Sequence, residues 1–112
     1  MINKQNAQHY IWKDICDGWH LVSSDRLSVI QEKMPPHTSE DMHKHNKANQ
    51  FFFLLSGQAV MKFEDRSVNL SAMDGVEIEA GIWHQMHNES DFDTEFLVVS
   101  SPKAHGDKVI KE

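Results

Sequence analysis

The feature that most restricts the fold of this chain is the shortness of its apolar segments. Apolar and polar residues alternate over runs such as 59–64, where Ala59, Met61 and Phe63 share one face. Turn residues interrupt this pattern roughly every 8–12 residues. No segment keeps the i, i+3, i+4, i+7 apolar spacing of a helix over several turns. The sequence therefore predicts an all-β fold of the sandwich or barrel type.

The strand pattern divides the chain into three parts. Residues 1–26 carry aromatic and aliphatic residues among turn formers and are predicted to be an N-terminal arm with short strands that packs on a barrel. Residues 27–102 form the predicted barrel, and residues 103–112 a polar C-terminal tail. The predicted strands of the barrel are residues 27–34, 51–55, 59–64, 68–70, 76–79, 83–86 and 95–100.

Composition and charge exclude several classes of protein. The 112 residues include 17 acidic and 11 basic ones, a net charge of −6, which argues against nucleic acid as a partner. The longest strongly apolar run, Phe51–Leu55, is far below the ~20 residues of a membrane span, and no signal peptide is visible. We therefore expect a cytoplasmic protein that does not bind membranes. The single cysteine, Cys16, allows no internal disulfide or thiolate zinc module and is expected to be a buried, inert thiol.

Histidine is the unusual component of the chain, with eight residues. His43 and His45 lie two apart, so that on a strand both imidazoles would point to one face. His84 belongs to a later predicted strand and follows the Gly81 turn. Imidazole is a ligand of Zn, Cu, Fe and Ni, so that this arrangement indicates a transition-metal site, although an HxH pair alone is a weak signal.

The spacing around these histidines is similar to the two conserved motifs of the cupin superfamily. The residues that carry the resemblance are His43, His45, Gln50 and Gly57 for the first motif, and Gly81, His84 and Asn88 for the second. The resemblance covers roughly residues 27–102. It implies a double-stranded β-helix, or jelly roll, with a metal in its mouth. It also implies that His43, His45 and His84 are metal ligands and that Gln50 occupies the position of the family's usual glutamate.

The glutamine at position 50 affects the expected chemistry. A neutral amide leaves the double charge of a divalent ion uncompensated, which makes the ion a stronger Lewis acid. We expect a divalent transition metal (Zn, Ni, Fe, Co, Cu or Mn), which histidine ligands of ordinary pKa would release near pH ~6.5. The alternative is that Gln50 lies beside a three-histidine site without touching the metal.

The other notable residues have no motif to support a role. His87 is predicted to lie behind the site or at the surface. His37, Glu40 and Asp41 are predicted to lie in an exposed loop, with a position at the fringe of the mouth as the alternative. His9, His20 and His105 are expected to be surface or packing residues. Phe92, Phe96 and the three tryptophans are expected in the core or the pocket wall.

An apolar run predicts self-association. If Gln50 points inward, Phe52 and Leu54 share its face, and Phe51, Phe53 and Leu55 lie on the opposite side. A contiguous apolar patch on an outer face favours a partner, so that we expect a homodimer.

The leading functional prediction is a metal-dependent enzyme. It would perform isomerase, lyase or ring-opening chemistry on a small polar or anionic substrate, either a sugar-derived or another oxo acid, since cupins that open unsaturated uronate sugars share the HxH–four residues–Gln pattern. The alternatives are a mononuclear-metal dioxygenase and a sensor module that binds a metal or small molecule without turnover. An acid or base beside the metal would favour the enzyme, and a sealed pocket without one the sensor. No catalytic residue can be named from the sequence.

Overall fold

The computed structural model describes residues 1–112 and contains only β-strands as regular secondary structure. In chain order the strands are β1 (Gln8–Trp12), β2 (Cys16–Ser23), β3 (Ser28–Met34), β4 (Thr38–Ser39), β5 (His43–His45), β6 (Asn49–Ser56), β7 (Gln58–Phe63), β8 (Ser67–Ser71), β9 (Gly75–Ile78), β10 (His84–Asn88), β11 (Thr94–Ser101) and β12 (Lys108–Ile110). The prediction of an all-β fold is confirmed. The chain has no helix that is long and apolar enough to cross a membrane.

The strands form two antiparallel sheets. The first has the order β1-β2-β3-β11-β6-β9. The second has the order β12-β5-β10-β7-β8, and β4 pairs with β10 beside this path. Sequence neighbours such as β6 and β7 lie in different sheets, so that the chain winds back and forth between them, as in a double-stranded β-helix.

Side-chain alternation places the core between the sheets. On β6, Phe52 and Leu54 are 1% and 0% exposed, and Gln50 shares their inward face, as predicted. Met61 on β7 and Met86 on β10 meet them from the second sheet and are fully buried. Burial of each large apolar side chain contributes about 1.5–3 kcal/mol, so that this alternation stabilises the packing of the two sheets.

A glycine turns the chain from the first sheet to the second. Gly57, between β6 and β7, has a φ of +84°, a backbone conformation that L side chains rarely adopt. A Cβ there would also lie 2.6 Å from the carbonyl oxygen of Asp93. The glycine that the sequence places after the apolar run is therefore required by both the backbone and its surroundings.

Both ends of the chain join the sheets. β1 and β2 extend the first sheet beside β3, and Cys16 at the start of β2 is 0% exposed, as predicted for an inert thiol. The segment predicted to be a polar tail contains β12, which pairs with β5. Just before it, the Asp107 carboxylate accepts hydrogen bonds from the backbone N–H groups of residues 46–48. A three-residue strand is too short to produce a recognisable pattern in the sequence.

The aromatic residues that the sequence places in the core or the pocket wall differ in how deeply the structure buries them. Phe96 is fully buried, as predicted, but Phe92 is 76% exposed, so that its placement in the core or pocket wall is wrong. Trp12 is half-buried and packs against the core, as predicted, whereas Trp19 and Trp83 are half-buried with lysine side chains over their rings. Phe92 lies in the turn before β11, where its carbonyl oxygen, and not its ring, is held by the Asn88 amide.

Candidate metal centre

Two strands of the second sheet bring three histidines together. His43 and His45 lie on the same face of β5, and His84, at the start of β10, is directly opposite His43 in the antiparallel ladder. The three side chains are 3%, 7% and 1% exposed. One ring nitrogen of each lies within 4.8 Å of those of the other two. These three histidines are positioned to bind a metal.

Backbone carbonyls orient two of the rings. The Nδ1–H of His43 donates to the Asp41 carbonyl oxygen at 2.7 Å, and that of His84 to the Ile82 carbonyl oxygen at 2.9 Å. This assignment leaves Nε2 of each ring with a free lone pair, the form of imidazole that coordinates a metal. Nε2 of His84 is buried and has no hydrogen-bond partner, as expected of an atom that faces a metal.

Gln50 approaches from the first sheet. Its side chain is 6% exposed, and its amide Nε2 donates to Ser100 Oγ at 3.0 Å. That hydrogen bond leaves Oε1 buried and without a partner. A buried carbonyl oxygen without a donor is costly, and a cation would satisfy it. The three histidines and this amide oxygen fit a transition metal with nitrogen and oxygen ligands.

Burial keeps the histidines neutral. It is the largest cause that lowers the pKa of all three, and it lowers the pKa of His45 to about 4, with the neighbouring His43 and His84 contributing. The expectation of metal release near the ordinary imidazole pKa therefore does not apply to this pocket. The lowered pKa values mean that protons compete less with a metal for these ring nitrogens than they would at histidines of ordinary pKa.

Comparison with known proteins decides the family. Residues 30–100 match the Cupin_2 family of cupin domains. The chain belongs to the cupin family. The match includes all three histidines and Gln50.

This cupin also resembles individual proteins. It is 31% identical over 85 residues to an oxalate-binding protein from Thermotoga maritima, a match that covers 71% of this chain and 70% of that protein. The solved structure of the polyketide cyclase RemF from Streptomyces resistomycificus superimposes with a TM-score of 0.84 at 16% identity, over 100% of this chain and 86% of that chain. A sugar phosphate isomerase of the cupin superfamily from Silicibacter pomeroyi superimposes with a TM-score of 0.80 at 17% identity, over 92% and 76% of the two chains. At these identities the two structures show the shared fold alone.

A cavity of about 610 Å³ opens beside the candidate ligands. Its wall includes His43, His45 and Gln50, and the segment before and within β12 contributes Lys103, His105 and Lys108. Exposed lysines that line a cavity attract anions and raise the rate at which a carboxylate associates there. The cavity of this cupin therefore combines a candidate metal centre with a cationic rim.

Two acidic residues face the same cavity: Glu32, for which the sequence indicated no role, and Glu40, for which a position at the fringe of the mouth was the alternative prediction. Glu32, on β3, is 9% exposed, and Glu40 is half-buried with its carboxylate accepting a hydrogen bond from the Met86 N–H at 3.0 Å. The prediction of an exposed loop at Glu40 is wrong, because β10 holds that side chain inward. Burial, followed by the charge of Glu40, raises the pKa of Glu32 well above its ordinary value. Burial also raises the pKa of Glu40.

The remaining histidines divide into two groups. His20 and His105, which had no predicted role, line the cavity. His87 lies half-buried on the outward face of β10, and a ring nitrogen of His37 and of His9 hydrogen-bonds at the surface to the carboxylates of Asp91 and Asp17. The sequence contains no motif for Tyr10, His20 or Glu32, and only the pairing of β1, β2 and β3 brings these residues to the cavity.

Proposed function

We propose that this cupin is a metal-dependent enzyme that acts on a small carboxylate bearing hydroxyl or oxo groups, by isomerase, lyase or ring-opening chemistry. The observation that carries the proposal is the presence of Glu32 and Glu40 in the cavity that His43, His45 and Gln50 line. Reactions of this class move protons at carbon or oxygen, and they need an acid or base beside the reacting atoms.

His43, His45, His84 and Gln50 would hold the metal, which when bound supplies a Lewis acid for a carbonyl or carboxylate oxygen. The protein's own residues supply proton transfer. A carboxyl group whose pKa is raised toward neutrality exchanges a proton efficiently in both directions, and Glu32 and Glu40 are both shifted in that direction.

The cationic rim favours an anionic substrate. Lys108 is exposed and lines the cavity, and its charge acts on both Glu32 and His43, which places it within electrostatic reach of both. A substrate carboxylate between Lys108 and the metal centre would have positive charge on both sides. The relative named as an oxalate-binding protein supports a carboxylate as ligand.

The test combines metal content with turnover. We expect the purified protein to contain about one transition-metal ion per chain by elemental analysis, and His43→Ala and His84→Ala to lose it. Incubation with a panel of sugar acids and oxo acids, followed by NMR, should reveal one that is converted. Glu32→Gln should retain the metal and lower kcat by about 100-fold or more. Glu77→Gln, an exposed carboxylate on β9, is the matched control and should leave kcat unchanged.

Unchanged metal content in both histidine variants would refute the metal centre. Turnover that survives Glu32→Gln and the corresponding Glu40→Gln would refute the acid–base role.

The second candidate is a carboxylate-binding protein without turnover, which the 31% identity to an oxalate-binding protein favours. Calorimetry with oxalate distinguishes the two. Binding of oxalate by the metal-loaded protein, together with no conversion of any member of the panel, would assign the binding function.

We also propose that the protein is a homodimer. Phe51, Phe53 and Leu55 lie on the outer face of the first sheet, Phe51 is 41% exposed, and its ring stacks on that of Phe53 at 6.1 Å. A second copy would cover this surface by the same patch on both chains, the usual arrangement of a twofold dimer.

A further inference from the structure

We infer that Tyr10, His20 and Glu32 form a second subsite of the cavity, which binds the hydroxyl groups of the substrate while the metal centre and Lys108 bind its carboxylate. This inference rests on the proposed function and names the class of substrate as hydroxylated carboxylates. Tyr10 and His20 lie on β1 and β2 and precede the residues that match the family model, whereas Glu32 on β3 lies within the match.

The register of three strands builds the subsite. Tyr10 on β1 is directly opposite Gly18 on β2, and Gly18 is directly opposite Glu32 on β3. Residues that are directly opposite in adjacent strands point to the same face of the sheet. Tyr10, Gly18 and Glu32 therefore form one row across the sheet, and its two side chains face the cavity.

Gly18 allows Tyr10 to reach the cavity. A Cβ at position 18 would lie 2.5 Å from the Tyr10 hydroxyl oxygen, which shows that the phenol occupies the space where a side chain at position 18 would stand. Gly18 is buried and has no positive φ, so that its backbone imposes no requirement for glycine. Glycine matters at this position because any side chain there would collide with the Tyr10 ring.

The polar groups of the subsite form no side-chain hydrogen bonds with the rest of the protein. Glu32 is 9% exposed, and no hydrogen bond contributes to the shift of its pKa. The His20 ring lies 5.0 Å from that of Tyr10, and its Nδ1 is buried without a hydrogen-bond partner. Burial and the charges of Glu32 and Glu40 raise the pKa of Tyr10, so that its phenol stays protonated and can donate.

These groups match hydroxyl chemistry. A phenol, an imidazole and a carboxyl group can each donate to or accept from an alcohol, whereas none of them carries the fixed positive charge that a second carboxylate would require. Buried polar groups without a hydrogen-bond partner discriminate strongly against a ligand that has no hydroxyl groups, because they would remain unpaired in the complex. In a ligand that carries a carboxylate and a hydroxylated chain, the carboxylate would bind the metal centre and Lys108, and the hydroxyl groups would bind the subsite.

The test compares three probes on the protein loaded with Zn²⁺, by isothermal titration calorimetry. Oxalate has no hydroxyl chain, gluconate is a six-carbon carboxylate with hydroxyl groups, and hexanoate has the same chain length without them. Tyr10→Phe removes only the hydroxyl, and Gly18→Ala displaces the phenol without changing any polar group. Ile11→Ala is the control, since Ile11 is the next residue on β1 and its side chain is 54% exposed on the other face.

We expect the wild type to bind gluconate more tightly than hexanoate. Tyr10→Phe and Gly18→Ala should each raise the Kd of gluconate by about fivefold or more and leave that of oxalate unchanged, and Ile11→Ala should alter neither. Oxalate binding without a preference for gluconate, or a preference that both variants retain, would refute the subsite and leave the proposed function intact. A wild type that binds none of the three carboxylates would refute both.

Discussion

The depressed pKa of His45 predicts that acid destabilises the metal-free protein. Burial lowers this pKa from 6.5 to about 4 in the folded chain, whereas the unfolded chain keeps the ordinary value. The unfolded state therefore binds the proton more tightly between these two values, and the free energy of unfolding falls as the pH falls through this window.

The size of the effect follows from the two pKa values. Each unit of pKa difference corresponds to ~1.4 kcal/mol, so that His45 alone removes about 2 kcal/mol at pH 5 and about 3 kcal/mol well below pH 4. The pKa values of His43 and His84 are lowered too, and both contribute with the same sign. The raised pKa of Glu32 acts in the opposite direction, because the folded state binds that proton more tightly.

His45→Gln isolates the contribution of this one ring. We expect urea unfolding of the EDTA-treated wild type to show a loss of stability between pH 7.5 and pH 5 that is about 2 kcal/mol larger than the loss in His45→Gln. The exposed residue His105 supplies the control variant His105→Gln, which should lose as much as the wild type. An equal loss in the wild type and His45→Gln would show that burial of His45 does not control its titration, and the reasoning would be wrong.

Three further predictions concern Gln50, Asn88 and Phe51. Gln50→Leu removes the unpartnered Oε1 and should weaken metal binding by about tenfold or more. Competition with a chelator measures this affinity, and an unchanged value would mean that Gln50 is not a ligand. Asn88 is 1% exposed, and its amide donates to the carbonyl oxygens of Met34, Pro35 and Phe92, so that Asn88→Ala should lower the free energy of unfolding by about 3 kcal/mol in urea titrations. A loss below about 1 kcal/mol would contradict this structural role. Phe51→Glu should sediment as a monomer at micromolar concentration where the wild type sediments as a dimer, and a wild-type monomer would refute the dimer.

Much of the fold could be predicted because the alternation of side chains is a local property. The predicted segments 51–55, 59–64 and 95–100 correspond to β6, β7 and β11. The proximity of the three histidines could be predicted for a different reason, since it follows from spacing together with a family resemblance.

The second half of the cavity could not be predicted, because it depends on pairing between strands. Glu32 resembles any polar residue of an amphipathic strand, and only the register Tyr10–Gly18–Glu32 reveals that it faces inward. Glu40 resembles a loop residue until the hydrogen bond from the Met86 backbone is known. A buried carboxylate has no local signal in a sequence, since the same residue type is normally a mark of exposure.

The pairing of β12 with β5 affects when this part of the protein can fold during synthesis. Asp107 accepts a hydrogen bond from the backbone of Asn46, 61 positions earlier, and residues 108–110 pair with the strand that carries His43 and His45. While the chain is still being synthesised, this edge of β5 has no neighbour on that side. The histidine strand therefore cannot acquire the hydrogen bonds of this edge until residues 108–110 have left the ribosome and can pair with it.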